Sequence, residues 1–159
     1  MKLVQKSSHV EVVVDATVEQ VWDVVSDVTR VGEWSHECRG AEWLGGADRA
    51  VAGARFRGTN RQGWARWSRT SEILALDPPH EIVWRTVPMW LLPDSTEWRI
   101  QVDAAEGGAR ITQRFRVLRA PAFHDRLFAQ MLPAHQDRDE RLREDLARIG
   151  QVARSGSQE

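Results

Sequence analysis

The chain has 159 residues, of which 42% are hydrophobic and 28% charged, an ordinary composition for one folded domain. The formal net charge of −1 gives no overall attraction to nucleic acid or to an anionic membrane, so neither is expected as a partner. Cys38 is the only cysteine, which excludes an internal disulfide and favours a reducing, cytoplasmic location. No signal peptide is recognisable, and no run of roughly 20 apolar residues predicts stable membrane insertion.

The N-terminal part predicts one strand followed by two short helices. Valine recurs at every second position from Val10 to Val14, which is the period of a half-buried strand. Thr17 and Gln20 have capping-box spacing, in which each side chain binds a backbone N–H at the start of a helix. Apolar residues at helical spacing extend this helix to about residue 25, and Asp27 starts a second short helical turn.

The middle of the chain predicts six further strands. Glycine and proline residues interrupt this region at short intervals, and short connections favour antiparallel pairing of neighbours. Together with the first strand, these segments make a seven-stranded antiparallel meander. The six predicted strands cover residues 37–44, 54–61, 65–76, 81–87, 95–103 and 109–118.

The last predicted element is a long amphipathic helix. Apolar residues recur at spacings of three and four from Phe123 to Ile149, which predicts a helix of up to about 28 residues with a kink at Pro133. We expect one ligand-binding domain over residues 1–150 and a disordered polar tail over 151–159. Because one helix must cover a seven-stranded sheet, the sheet is expected to curve around it.

Several short segments, taken in order, carry a resemblance to a known family. Ala16–Trp22 opens the first helix, and 27–34 forms the turn after it. The segments 53–56, 78–84 and 108–112 follow at the expected places. Together they resemble the START-like (SRPBCC) superfamily and its polyketide cyclase/dehydrase and lipid-transport family. The resemblance implies an α+β helix-grip (Bet v 1-like) fold: a curved seven-stranded antiparallel sheet around a long C-terminal helix, with two short helices after the first strand.

Alternation along the predicted strands indicates which side chains face the inside of the sheet. The faces that carry aromatic and aliphatic residues are assigned inward, and the arginine-rich faces outward. The inward set also includes polar side chains, each of which would need a partner in a dry core. Apolar walls with a few polar groups are typical of a small-molecule pocket. The predicted pocket residues are Trp34, His36, Phe56, Asn60, Trp67, Arg69, Ser71, Trp84, Thr86, Thr96, Trp98, Gln113, Phe115, Leu127 and Met131.

Two residues are candidates for a catalytic role. Arg69 has a planar fork suited to a carboxylate or enolate, and the alternative is a structural ion pair with an acidic neighbour. His135 lies beside the apolar stripe of the last helix, where it could act as an acid or base. Asp137 and Asp139 are too near in sequence to orient His135 on a helix, so a histidine bonded to a carbonyl or water is the alternative.

Signatures of enzymes and metal sites are missing from the sequence. It contains no G-x-S-x-G elbow, no Walker loop, no H-E-x-x-H motif and no cysteine pair. The five histidines lack metal-ligand spacing, so we expect no cofactor and no metal. The arginines on 55–66 are expected to pair with carboxylates rather than to bind nucleic acid.

These observations leave three hypotheses for the function. The first is binding of an apolar or aromatic small molecule, lipid- or polyketide-like, in an internal pocket. The second is a cofactor-independent polyketide aromatase/cyclase-type enzyme, in which Arg69 or His135 polarises a carbonyl or moves a proton. The third is a ligand-free regulatory or toxin–antitoxin interaction protein. The apolar loop 87–93 is a gate, a dimer contact or simple packing, and both a monomer and a homodimer remain open.

Overall fold

In the computed structural model, which describes residues 3–156, the chain forms a seven-stranded antiparallel sheet. The strands are β1 (Ser7–Val14), β2 (Cys38–Leu44), β3 (Arg55–Gln62), β4 (Ala65–Asp77), β5 (Glu81–Thr86), β6 (Ser95–Ala105) and β7 (Gly108–Arg119). Their order across the sheet is β1-β7-β6-β5-β4-β3-β2, so β2 to β7 form a meander and β1 pairs with its last strand. Irregularities in the β2–β3, β4–β5 and β6–β7 pairings are β-bulges of the kind that bend a sheet. The predicted α+β class and sheet are confirmed.

The two short helices after β1 lie where the sequence predicts them. In helix α1 (Val18–Val25), the Thr17 hydroxyl accepts the N–H of Gln20 at 3.1 Å, and the Gln20 side-chain oxygen accepts the N–H of Thr17 at 2.8 Å. The 3₁₀ helix Val28–Glu33 follows, with the Asp27 carboxylate as its N-terminal cap. The buried residues of α1 are Val18, Val21, Val24 and Val25.

The C-terminal helix is not continuous, and the predicted kink at Pro133 is a break. Helix α2 (Ala122–Met131) ends before Leu132, whose φ of −127° and ψ of 73° are not helical. A residue that precedes proline is driven out of the helical region, and proline itself supplies no N–H to continue the ladder. After the 3₁₀ turn Pro133–Gln136, the long helix α3 (Asp139–Gly156) begins.

Helix α3 extends further than the sequence predicts. Residues 151–156, assigned above to a disordered tail, are helical, and residues 157–159 lie outside the described residues. Ala153 is buried and Val152 packs against the core, so apolar contacts hold this last turn in place. No helix within 3–156 has the length and apolar character that crossing a membrane requires.

The main core lies between α3 and the inner face of the sheet. Leu142, Leu146 and Ile149 are buried at spacings of three and four along α3, as an amphipathic helix requires. They belong to one cluster with the fully buried Ile100 and Ile111 of the sheet. Each such side chain contributes about 1.5–3 kcal/mol on burial, so this helix–sheet contact stabilises the fold by several kcal/mol.

Gly150 permits α3 to approach β1 closely, because a Cβ at this position would lie 2.5 Å from Cβ of Val14. Gly150→Ala is expected to lower the free energy of unfolding by about 1–3 kcal/mol through overpacking, although alanine is the better helix former by about 1 kcal/mol. Gly156→Ala, in the same helix, is the matched control, since its Cβ would meet no atom of residues 3–156 within 4 Å. Urea denaturation compares the two, and equal stability of both variants would contradict this packing.

The outer face of the sheet carries ion pairs between neighbouring strands, as the sequence predicts for its arginines. Exposed pairs of this type contribute roughly 0–1 kcal/mol each, so they mainly keep this face solvated. The pairs are Arg55–Glu72 at 2.9 Å, Arg57–Glu42 at 3.4 Å, Arg99–Glu81 at 3.1 Å and Arg116–Glu97 at 3.5 Å.

Candidate ligand-binding cavity

A cavity of about 230 Å³ lies between the concave face of the sheet, α2 and the first turns of α3. Its walls are strongly aromatic because alternate residues of the central strands point inward. Trp84 and Trp98 stack with ring centroids 6.3 Å apart and planes at 11°. Phe115 lies 5.0 Å from Trp98, so three neighbouring strands contribute one continuous aromatic wall.

The structure brings most of the predicted pocket residues together around this cavity. All of them line it except Leu127 and Met131, which are 40% and 42% exposed on α2. Their assignment to the pocket is wrong because it assumed one apolar stripe running through a continuous helix. The break after Met131 reorients α2, and Phe128 and Leu132 line the cavity instead.

A buried carboxylate, Glu37, joins two side chains that precede α3. Its Oε1 is hydrogen-bonded to Nε2 of His135, and its Oε2 accepts a hydrogen bond from Nη2 of Arg138 at 3.1 Å. Burial raises the pKa of Glu37, but the hydrogen bond from His135 and the charge of Arg138 outweigh this and lower the pKa to about 2. Glu37 is therefore an ionised carboxylate in the cavity wall.

His135 lies in the cavity wall and makes a T-shaped contact with Trp67, at 6.1 Å between ring centroids and 72° between planes. The partner of His135 is neither Asp137 nor Asp139, nor the carbonyl or water of the alternative, but Glu37, which binds Nε2 from 98 residues away in the chain. A carboxylate that binds one imidazole nitrogen fixes the orientation of the ring. Glu37 therefore positions His135 in the cavity wall.

The guanidinium group of Arg138 lies against the aromatic wall. Its Cζ is 5.0 Å from the ring centroid of Trp98 and 5.4 Å from that of Phe115, within the range of cation–π attraction. Its Nε is buried and has no hydrogen-bond partner among residues 3–156. The sequence could have identified this residue, because Arg138 follows Met131 and precedes Leu142 at the spacing of the apolar stripe. An arginine on an apolar stripe indicates a buried charge that needs a partner.

Arg69, the second candidate for a catalytic role, is engaged in an ion pair. Its Nη1 donates to Asp94 Oδ2 at 2.9 Å, and its Nη2 donates to the backbone oxygen of Asp94 at 2.8 Å. The acidic neighbour needed for a structural role is therefore present. The pair connects β4 to the loop before β6, and this geometry favours the structural interpretation of Arg69.

His36 lines the cavity and is hydrogen-bonded to Asp145 of α3. Asp145, which is only 2% exposed, accepts the N–H of His36 at 2.9 Å and contacts Nδ1 of the same ring at 2.7 Å. Arg148 donates to Asp145 at 3.2 Å and to the backbone oxygen of Trp34 at 2.7 Å. This network attaches the segment before β2 to α3 and so positions one wall of the cavity.

Some of the other polar groups of the cavity have hydrogen-bond or ion-pair partners, and others do not. Lys6 and Asp125 form an ion pair at 2.6 Å. Burial raises the pKa of the Cys38 thiol to about 11, so this side chain is an uncharged thiol. Trp34 Nε1 and Gln113 Oε1 are buried and have no partner within the described part of the chain.

The loop between β5 and β6 forms part of the cavity rim. Leu92 lines the cavity, whereas Trp90 is 92% exposed and Leu91 is 72% exposed. Simple inward packing of the whole loop is therefore wrong, since Trp90 and Leu91 face solvent. A gate and a contact surface remain the alternatives for this loop.

A curved antiparallel sheet that encloses a cavity against a C-terminal helix defines a helix-grip protein, as the resemblance implies. The chain belongs to the polyketide cyclase/dehydrase and lipid transport family, whose model matches residues 5–154. No curated protein matches it.

Solved structures with the same fold come from several bacteria. A protein from Nitrosomonas europaea is 9% identical with a TM-score of 0.68, covering 97% of each chain. A protein from Arthrobacter aurescens is 14% identical with a TM-score of 0.68, covering 98% of this chain and 92% of that one. A Polyketide_cyc-like protein from Corynebacterium glutamicum is 24% identical with a TM-score of 0.56, covering 95% and 93%. At these identities the similarity shows the fold, and function must be argued from the site.

Proposed function

We propose that the protein binds a compact apolar or aromatic small molecule in this cavity, without a cofactor. The observation that carries the proposal is the wall formed by Trp84, Trp98 and Phe115. Aromatic side chains offer large apolar faces, and the few polar groups between them orient a ligand. Membership of a family that includes lipid-transport proteins supports the same conclusion.

The size of the cavity restricts the ligand. Its volume of about 230 Å³ is below the roughly 300–1,000 Å³ of pockets for drug-sized molecules. A ligand of one to three fused rings, or a short acyl chain, fits this volume better than an extended polyketide chain. The ligand class is therefore small and compact.

The proposal also covers the domain organisation and the location of the protein. Residues 5–154 match one family model, so we infer a single binding domain that includes α3 as far as residue 154. Cys38 is the only cysteine, so the chain forms no internal disulfide, and this supports a reducing, cytoplasmic location.

Binding should be visible in tryptophan fluorescence. Titration with 1-aminoanthracene is expected to change the intrinsic emission saturably, because Trp67, Trp84 and Trp98 line the cavity, and each Trp→Phe variant should give a smaller response. Trp64→Phe is the matched control, since Trp64 is 82% exposed in a turn outside the cavity. Native mass spectrometry of the purified protein would identify a retained molecule. If 1-aminoanthracene, fatty acids and naphthalene derivatives all fail to give a saturable change, the proposal is wrong.

A further inference from the structure

We propose that the ligand carries a hydrogen-bond-accepting oxygen, as in a carbonyl, an enolate or a carboxylate, and that Arg138 binds this oxygen at the aromatic wall. The inference rests on the proposed function, because it specifies the chemistry of the molecule that the same cavity holds. It assigns a ligand contact to Arg138, at the junction between the 3₁₀ turn and α3.

The first argument is that the guanidinium group has unused donors. A guanidinium group has five N–H donors and normally binds a carboxylate through two parallel hydrogen bonds. Here Glu37 offers Arg138 only Oε2, because His135 occupies Oε1. The buried Nε of Arg138 has no partner in the range that the structure describes. That nitrogen has no accessible surface, so a ligand oxygen would be bound by Nη1, which has no hydrogen-bond partner in the same range.

The second argument is that Arg138 is held in position before a ligand arrives. Its guanidinium group rests near the rings of Trp98 and Phe115, and its backbone N–H donates to the side chain of Gln5 at 2.7 Å. A group that is already ordered loses little conformational freedom on binding. A ligand that contacts these aromatic rings therefore lies beside a fixed positive group.

The third argument is that the other cationic side chains of the cavity are already paired. Both terminal nitrogens of Arg69 are bound by Asp94, and Lys6 contacts the carboxylate of Asp125. Arg69 retains an unpartnered Nε but no free terminal nitrogen of its fork. Arg138 is therefore the cavity arginine with the greater remaining capacity to donate hydrogen bonds.

The test compares three probes that share one ring system and differ in the oxygen. 2-Ethylnaphthalene has no oxygen, 2-acetylnaphthalene has a neutral carbonyl, and 2-naphthoate has a carboxylate. Their affinities are measured by displacement of 1-aminoanthracene from the full-length protein. The wild type is expected to bind the ketone, the carboxylate or both about tenfold more tightly than the hydrocarbon, since a hydrogen bond from a charged donor is worth at least that factor. Which of the two gains shows whether the oxygen is neutral or anionic.

Substitutions of single arginines identify the residue that causes the preference for oxygen-bearing probes. Arg138→Met is expected to reduce the preference for the oxygen-bearing probes about tenfold, while binding of the hydrocarbon persists. Arg138→Lys keeps a positive charge beside Glu37 and is the second variant if Arg138→Met fails to fold. Arg69→Met should retain the preference if Asp94 is the only partner of Arg69. Arg116→Met, on the outer face of the sheet and 68% exposed, is the matched control.

The outcomes separate this inference from the proposed function. The inference is wrong if the wild type binds the hydrocarbon as tightly as both oxygen-bearing probes, or if the preference survives in both Arg138 variants. Either result would leave the binding function intact. A preference lost only in Arg69→Met would move the contact to Arg69 and also overturn it. Failure of every probe, including 1-aminoanthracene, would contradict the binding function itself and the inference with it.

Discussion

Asp145→Ala is expected to lower the free energy of unfolding by about 3 kcal/mol, a large effect for one substitution. Asp145 is 2% exposed and binds the backbone N–H and ring of His36 as well as Arg148. Removal of the carboxylate leaves the His36 N–H buried without a partner, and the positive group of Arg148 loses its counter-ion. Because Arg148 is 39% exposed and water can replace part of its interaction, the effect stays at the lower end of buried-pair losses.

Urea denaturation of the purified variant at neutral pH measures this loss. Glu140→Ala, in the first turn of the same helix, is the matched control, because Glu140 is 78% exposed and pairs with Arg143 only at the surface. The control is expected to change stability by about 0.5 kcal/mol or less. An Asp145→Ala variant as stable as the control would show that the network between α3 and the segment before β2 does not support the fold.

Acidification is expected to destabilise the wild type by roughly 3 kcal/mol more than the Glu37→Gln variant, between about pH 5 and pH 2. The pKa of Glu37 is lowered from 4.5 to about 2 in the folded protein by its hydrogen bond to His135 and by Arg138, against the effect of burial. A carboxyl group whose pKa is lower when folded stabilises the protein above its unfolded pKa. This contribution is lost as the pH falls through the folded pKa, and the difference from 4.5 to about 2 corresponds to the stated free energy.

The measurement is the free energy of unfolding of both proteins across this pH range. The groups that face Glu37 are His135, Arg138 and His36, and all three are present in both proteins, so the difference between the two profiles reports Glu37 together with its coupling to these groups. The free energy of unfolding of Glu140→Gln, which alters an exposed carboxylate of α3, should change with pH as it does in the wild type. If the profile of Glu37→Gln also parallels that of the wild type, position 37 does not hold an ionised, stabilising carboxylate.

Much of the fold was predictable because its signals are local. The capping box at Thr17 and Gln20 places the start of α1, since both partners lie within one turn of helix. Strand alternation also places inward residues correctly, because the side-chain period of two is set by the backbone. For this reason Trp84, Trp98 and Phe115 could be assigned to one interior wall without a structure.

The errors occurred where a local pattern had more than one three-dimensional outcome. Apolar spacing continues on both sides of Pro133, and spacing alone does not distinguish a kink from a break. The break exposes Leu127 and Met131, which the continuous stripe had placed inside. The helical residues 151–156 appeared to be a tail because their order depends on packing by Val152 and Ala153.

By itself, the sequence determined the strands, the first helix, the aromatic interior and the family. Only the tertiary structure decided which polar residues meet. Glu37 and His135 are 98 positions apart, His36 and Asp145 are 109 apart, and Arg69 and Asp94 are 25 apart. Periodicity describes the face on which a side chain lies, whereas a pairing depends on how the sheet curves and where α3 docks. The partners of Glu37, and with them the unused donors of Arg138, therefore became visible only in the folded chain.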